Sequence, residues 1–181
     1  MGSDNPIARK QRRFWGIAAT IVVVDAFTKM LAVDLLLREQ LPRPVIGGAL
    51  RLTLVFNSGA AFGLHVGAYS RWIFTALTIG ALFLLAHLYR TTRAGDALRT
   101  IALSLVCGGA VGNLVDRLKS GRGVVDFIDV GVGTMRWPTF NVADMAVSCG
   151  AVALAFVLWR EDVQHAASAA KPSGQDAPVH G

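Results

Sequence analysis

The sequence predicts an all-α membrane protein, four transmembrane helices with a small β-sheet on one face. Three observations carry that expectation. The 181 residues are 53% hydrophobic and only 17% charged, and the mean hydropathy is +0.48, whereas a soluble domain carries closer to a quarter charged residues. Most of the apolar content falls in four blocks, each about the 18–20 residues that cross a hydrocarbon core as a helix. Between the blocks lie two stretches whose residues alternate or cluster as strands do.

The first span reads from Phe14 to about Val33, with Asp25 and Lys29 embedded in it. Its basic start, Arg9-Lys10-Gln11-Arg12-Arg13, resembles the opening of a secretory signal peptide. The apolar stretch is long, however, and no small-x-small site closes it, so a retained helix is expected. Arg71–Tyr89 is the second span and the cleanest. Leu98 to about Val115 is the third, ending in Gly108-Gly109-Ala110-Val111-Gly112-Asn113, and Val142–Trp159 is the fourth. With no water in the bilayer to satisfy backbone groups, helices are the natural form for all four. The four-helix membrane unit is therefore 14–160, preceded by a basic segment at 1–13 and followed by 161–181. That last segment is rich in Ala, Ser, Pro and Gly beyond Gln164, and reads as a disordered tail.

Arg and Lys near the span ends set orientation. Arg9, Lys10, Arg12 and Arg13, then Arg90, Arg93 and Arg99, then Arg160 fall on one side if the helices alternate. That side is expected to be cytoplasmic, with both termini there. The formal net charge of +6 thus suits a membrane surface. Nucleic acid is excluded as a partner, because no recognition motif accompanies the charge.

Both connections on the opposite side are longer than a turn requires. Leu50-Arg51-Leu52-Thr53-Leu54-Val55-Phe56 alternates as a strand, and Gly123 to Val130 is β-like before a turn at Gly131-Val132-Gly133. Cys107 and Cys149 have neither metal-ligand nor disulfide spacing and read as small packing residues.

The polar residues within this apolar chain are the candidates for function. An ionised carboxylate in the membrane costs about 2.5–3.5 kcal/mol on insertion scales, so such residues are kept for a reason. Asp25 and Lys29 are four apart and share a helix face, as partners of one another or as part of a site. Asn57 lies in a glycine-bearing run that includes Gly59 and reads as a turn. Asn113, Asp116 and Arg117 close the third span, with Arg117 either an interfacial anchor paired to Asp116 or a ligand for a lipid phosphate or substrate carbonyl.

Asp126 and Asp144 are the strongest pair. A hairpin-like return through Trp137-Pro138 would bring them together, and strand alternation sends Asp129 to the other face. Two carboxylates in contact share a proton, which suits acid–base hydrolysis. The residues alone leave three readings open: a catalytic dyad, helix-capping carboxylates, and a relay for protons or ions as in a small transporter.

Five motifs occur in order: Asp25-x-x-Thr28-Lys29, Asn57-x-Gly59-Ala60-Ala61-Phe62-Gly63, Gly109-x-x-Gly112-Asn113-x-x-Asp116-Arg117, Val124-Val125-Asp126-Phe127 and Phe140-Asn141-x-Ala143-Asp144. Together they closely resemble bacterial lipoprotein signal peptidase, also called signal peptidase II, over about residues 14–160. The resemblance implies an inner-membrane aspartyl endopeptidase with a small periplasmic sheet and a site facing the periplasm. It implies substrates that are diacylglyceryl-modified prolipoproteins, cut before the lipid-bearing cysteine. Membrane lipids would surround the enzyme and globomycin would inhibit it; no metal or cofactor is implied. By motif, Asp126 and Asp144 would be the catalytic pair. Asn57, Gly59, Asn113, Arg117 and Asn141 would contact substrate or hold the pair, with Asp25, Lys29 and Asp116 in support. A catalytically silent precursor-binding homologue is the alternative within the same family.

Overall fold

The computed structural model describes residues 5–38, 42–59 and 67–169. Its elements in chain order are α1 (Pro6–Leu36), β1 (Arg43–Ile46), β2 (Leu50–Asn57), a 3-10 turn (Gly67–Tyr69), α2 (Ser70–Thr91), α3 (Ala97–Lys119), β3 (Val124–Val132), β4 (Met135–Arg136) and α4 (Val142–Ala169). Among the described residues, four helices are long and apolar enough to cross a membrane.

Local chemistry sets several helix boundaries. Pro6 opens α1 behind Asn5, whose side chain accepts from the Ile7 N–H at 2.9 Å. Asp96 caps α3 by accepting from Arg99 N at 3.0 Å. The expected first span is shorter than the helix found, because the basic residues Arg9–Arg13 continue the same helix. The fourth helix also outruns its expected end at Trp159. Residues 161–169 are helical rather than structureless, since Glu161, Asp162, Gln164 and the alanines are tolerated in a helix as readily as in a coil. The rest of the expected tail, 170–181, lies outside the described residues, as does 60–63 of the Asn57 motif.

Helix α3 is the hub, packing on α4, α1 and α2. Small residues make this possible. A Cβ at Gly109 would run into the carbonyl of Ala143 on α4, and one at Gly108 would lie 2.9 Å from the Ala18 carbonyl on α1. Phe14, Leu85 and Leu103 form the core where α1, α2 and α3 meet. The outward faces carry Val23, Phe27, Met30, Leu77, Phe83 and Val152, all exposed, as a lipid-facing surface should.

The sheet is antiparallel throughout, in the order β1-β2-β3-β4. The two strands expected from the sequence are β2 and β3. The turn after β3 starts only at Gly133, which has φ +58° and is the last of the three residues expected to form it, because Gly131 and Val132 still pair with Arg136 and Met135. Phe127 of β3 packs with Ala32 and Leu36 at the end of α1, seating the sheet on the bundle. Full burial of one such side chain contributes about 1.5–3 kcal/mol. Beyond β4 the chain returns alongside β3: Ile128 N donates to Phe140 O at 2.8 Å, and Phe140 N to Ile128 O at 3.1 Å. That bridge puts Asn141 and the start of α4 beside Asp126.

Candidate active site

Asp126 and Asp144 reach one cavity of about 390 Å³ from different elements, β3 and the first turn of α4. The cavity is also lined by Asn57, Asn113, Arg117 and the Trp137–Phe140 return. All four carboxylate oxygens have donors. Asp126 accepts from Asn141 Nδ2 at 2.7 Å on one oxygen and Asn57 Nδ2 at 3.1 Å on the other. Asp144 accepts from Asn113 Nδ2 at 2.8 Å and from the Asn141 backbone N–H at 3.1 Å.

Three asparagines thus aim their amide nitrogens at the two carboxylates. An asparagine can flip unless something pins its oxygen, and here each oxygen is pinned. Asn57 Oδ1 accepts from Gly59 N at 2.9 Å, and Asn141 Oδ1 accepts from Asp144 N at 2.9 Å. Asn113 Oδ1 accepts from Lys29 Nζ at 2.9 Å. Asn141 and Asp144 together form a reciprocal box at the start of α4, three residues apart. Asp144 therefore caps α4 as one of the readings from sequence expects, while also lining the cavity.

Lys29 is buried, and its three N–H groups meet three acceptors. Besides Asn113 they are Asp25, at 2.7 Å, and Asp116, at 2.8 Å. Asp25 spends its other oxygen on Ala143 N at 2.9 Å, next to Asp144. Asp116 accepts from Val125 N at 3.3 Å, next to Asp126. Neither carboxylate enters the cavity wall; each ties the helix carrying it to the backbone beside one of the two candidates. The pairing of Arg117 with Asp116 considered from sequence gives way to Lys29, which is the nearer cation once α1 packs on α3. Arg117 instead reaches Gly59 O at 3.3 Å and Asn113 O at 3.5 Å. Its buried Nε has no hydrogen-bond partner among the described residues.

Gly123 permits the entry to β3. Its φ is +99°, and a Cβ there would run into the carbonyl of Asn57. The two strands that carry Asn57 and Asp126 can pair closely only with glycine at this point.

Burial raises the Asp126 carboxyl to about 6, with the charge of Asp144 adding to the effect; the hydrogen bonds from Asn57 and Asn141 and the field of Lys29 act in the opposite sense. Asp129 points the other way, as alternation predicts. Arg136 Nε lies 2.7 Å from it, Arg51 Nε 3.3 Å, and Thr53 donates at 3.2 Å. Burial pushes Asp129 up, but these hydrogen bonds and charges outweigh it and hold the group below the usual carboxylate range.

A family model described as Signal peptidase (SPase) II matches residues 17–160. The chain belongs to the signal peptidase II family. A lipoprotein signal peptidase from Syntrophotalea carbinolica is 43% identical over 153 residues, covering 83% of this chain and 93% of that protein. One from Burkholderia thailandensis is 38% identical over 143 residues, covering 78% and 84%. A solved bacterial membrane enzyme at 2.3 Å superposes with a TM-score of 0.74 at 28% identity, covering 90% of this chain and 93% of its own. A second, at 1.9 Å, gives 0.69 at 30% identity, covering 80% and 91%.

For this signal peptidase II family member, the motif residues singled out in the sequence divide into two layers. Asn57, Asn113, Arg117, Asp126 and Asp144 line the cavity; Asn141, Gly59, Asp25, Lys29 and Asp116 stand behind it. Sequence reasoning missed a further part of the wall, made by Trp137, Pro138, Thr139, Met145, Ser148 and Cys149. Met145, Ser148 and Cys149 follow Asp144 at helical spacing, so a helical wheel drawn from Asp144 would have found them. Cys149 is exposed, not the packing residue it resembled, because it falls on the outward stripe of α4 with exposed Met145, Val152 and Phe156.

Proposed function

We propose that this chain is an aspartyl endopeptidase that removes signal peptides from diacylglyceryl-modified prolipoproteins, cutting just before the lipid-bearing cysteine, with Asp126 and Asp144 as the catalytic pair. One observation carries the assignment of residues. Two carboxylates meet in one cavity, held by asparagine amides, with the Asp126 carboxyl raised to about 6. A pair that holds one proton between them near neutral pH has both an acid and a base to offer.

The chemistry follows from that single proton. The ionised carboxylate accepts a proton from water, whose oxygen attacks the scissile carbonyl carbon. The protonated carboxyl donates to the carbonyl oxygen as the tetrahedral intermediate forms. When the C–N bond breaks, the proton gained from water passes to the leaving amine, and a hydroxyl of the intermediate returns its proton to the other carboxylate as the product carboxyl forms, restoring the single shared proton. Arg117, loosely held and with Nε free among the described residues, has donors to spare for a substrate carbonyl. Trp137, Met145 and the α4 wall supply an apolar surface for the lipid-bearing end.

In this reading the protein resides in the bacterial inner membrane, both termini cytoplasmic. The cavity then lies toward the periplasm, at the end of the bundle beneath the sheet, where water and a lipid-anchored peptide meet. Membrane lipids surround it, and globomycin competes with precursor for the cavity. The test is reconstitution with a diacylglyceryl-modified precursor, comparing wild type with Asp126→Asn and Asp144→Asn. Cleavage before the modified cysteine is expected, lost in either variant and blocked by globomycin. Cleavage that survives both substitutions would sink the dyad; precursor binding without cleavage by wild type would favour a silent homologue.

A further inference from the structure

The end of the bundle away from the cavity has its own cluster of charges, unused by the peptidase chemistry. There Lys10 of α1 latches onto the corner between α2 and α3. Its Nζ donates to Tyr89 O at 2.7 Å and Thr92 O at 2.6 Å, and sits 4.3 Å from the Tyr89 ring centroid. Phe14, one turn on, stacks against the same ring at 4.1 Å. Lys10 and Phe14 therefore form the row of α1 that faces α2.

Arg9 and Arg13 occupy the adjoining row, four residues apart on the same side of that seam. Arg90 follows Tyr89, and Arg93 follows Thr92, the two residues whose carbonyls hold Lys10. Among the described residues none of these four arginines makes an ion pair. The nearby carboxylates are committed elsewhere. Asp96 caps α3, and Glu161 pairs with Arg99 at 3.0 Å. Trp15 is exposed beside the cluster, at the depth where an indole suits a membrane–water interface.

We infer that this corner is a binding site for the phosphate of an anionic phospholipid headgroup, held by Arg9, Arg13, Arg90 and Arg93 around the Lys10 latch. Guanidinium groups grip phosphate oxygens in pairs, and basic pockets at helix ends recognise anionic lipids for this reason. The latch matters because it fixes the part of α1 that carries Arg9 and Arg13 against the corner that carries Arg90 and Arg93. A lipid is favoured over a free anion by position: the site adjoins lipid-facing helices and an exposed tryptophan.

The full chain in phosphatidylcholine nanodiscs, with and without phosphatidylglycerol, provides the test. Thermal unfolding and retained lipid are both read. Phosphatidylglycerol is expected to raise the unfolding temperature and to be retained in preference to phosphatidylcholine. Arg90→Gln/Arg93→Gln should weaken that preference by about fivefold per arginine at low salt, and by less at high salt. Arg90→Lys/Arg93→Lys should keep most of it. Circular dichroism checks that the helices persist; if the first variant loses them, Arg9→Gln/Arg13→Gln takes its place. Equal retention of both lipids, or an undiminished preference in the glutamine variants, overturns the inference. Stabilisation of the protein by inorganic phosphate as strong as by phosphatidylglycerol would also overturn it, by assigning the corner to a free anion.

Discussion

Replacing Lys29 with methionine separates what holds the protein together from what aims the candidate dyad. Methionine keeps the length and the apolar stem, so the perturbation is electrostatic. Three contacts go at once, to Asp25, Asp116 and Asn113. Asp25 is then left 1% exposed with Ala143 N as its remaining donor. Removing one partner of a buried pair costs about 3–5 kcal/mol, a large share of a total stability of about 5–15 kcal/mol. Neutralising the stranded carboxylate should undo most of that loss. In Lys29→Met/Asp25→Asn the asparagine oxygen still accepts from Ala143 N, and the one carboxylate left without its cation, Asp116, is partly exposed and keeps the Val125 N–H. Unfolding measured in one fixed detergent should show non-additivity of about 1–3 kcal/mol between the two substitutions.

Cleavage should behave differently. Asn141 Nδ2 still donates to Asn113 Oδ1 at 3.1 Å, but neither variant restores the shorter, charge-assisted bond from Lys29 that also turns that amide nitrogen toward Asp144. The double variant is therefore expected to recover stability while its cleavage rate stays low. Two results would refute the reasoning. One is a Lys29→Met protein within about 0.5 kcal/mol of wild type; the other is full cleavage by the double variant.

Asn57→Ala should act through pH. The Asn57 N–H stabilises ionised Asp126, so its loss lifts a carboxyl already raised to about 6; the alkaline limb of kcat/KM is expected to move up by about one pH unit, alongside a lower maximal rate. Gly123→Ala forces a Cβ into the Asn57 carbonyl at a φ of +99°. It should lose more than about 1 kcal/mol in unfolding experiments, together with most cleavage. Asp129→Asn should cleave at nearly the wild-type rate, since Asp129 faces away from the cavity. Its folded value lies below the unfolded one. Its stabilisation is therefore present above the ordinary carboxylate value of about 3.9 and lost as pH falls through the lower folded value. Acid unfolding curves should show wild type losing this advantage over Asp129→Asn below about pH 4.

What could be read from the sequence was whatever one element decides alone. The four helices announce themselves by apolar length, and β2 and β3 by local pattern. Asp25 and Lys29 can be paired because helical spacing puts them on one face. Asp129 can be set apart from Asp126 because a strand alternates. The contacts that depend on packing were not legible. Asp116 precedes Arg117 in the chain yet pairs with Lys29 of another helix, a choice made by the close approach of α1 to α3 at Gly108. The missed part of the cavity wall depends on the Ile128–Phe140 bridge, a nonlocal pairing with no local signature. Helix ends were misjudged at both termini because polar and basic residues extend a helix beyond its apolar part.

The arrangement of charge around Asp126 and Asp144 has its own logic. A dyad that must hold one proton near neutral pH is poorly served by a lysine touching it, since a cation in contact favours both ionised forms. Yet two carboxylates sharing one cavity need firm positioning, which neutral water or hydroxyl groups supply less rigidly. Here the lysine stands one residue back. Lys29 meets Asn113, and Asn113 meets Asp144, so the direction of a hydrogen bond is transmitted while much of the charge is spent on Asp25 and Asp116. Its field still reaches Asp126, but ranks behind burial, the charge of Asp144 and both amide hydrogen bonds. Substituting Asn113 by aspartate would remove that insulation and set a third carboxylate against the pair, with Lys29 drawn to it. Amides rather than ions in contact with the two carboxylates would thus reconcile the rigidity of the proposed dyad with a proton it can still give away.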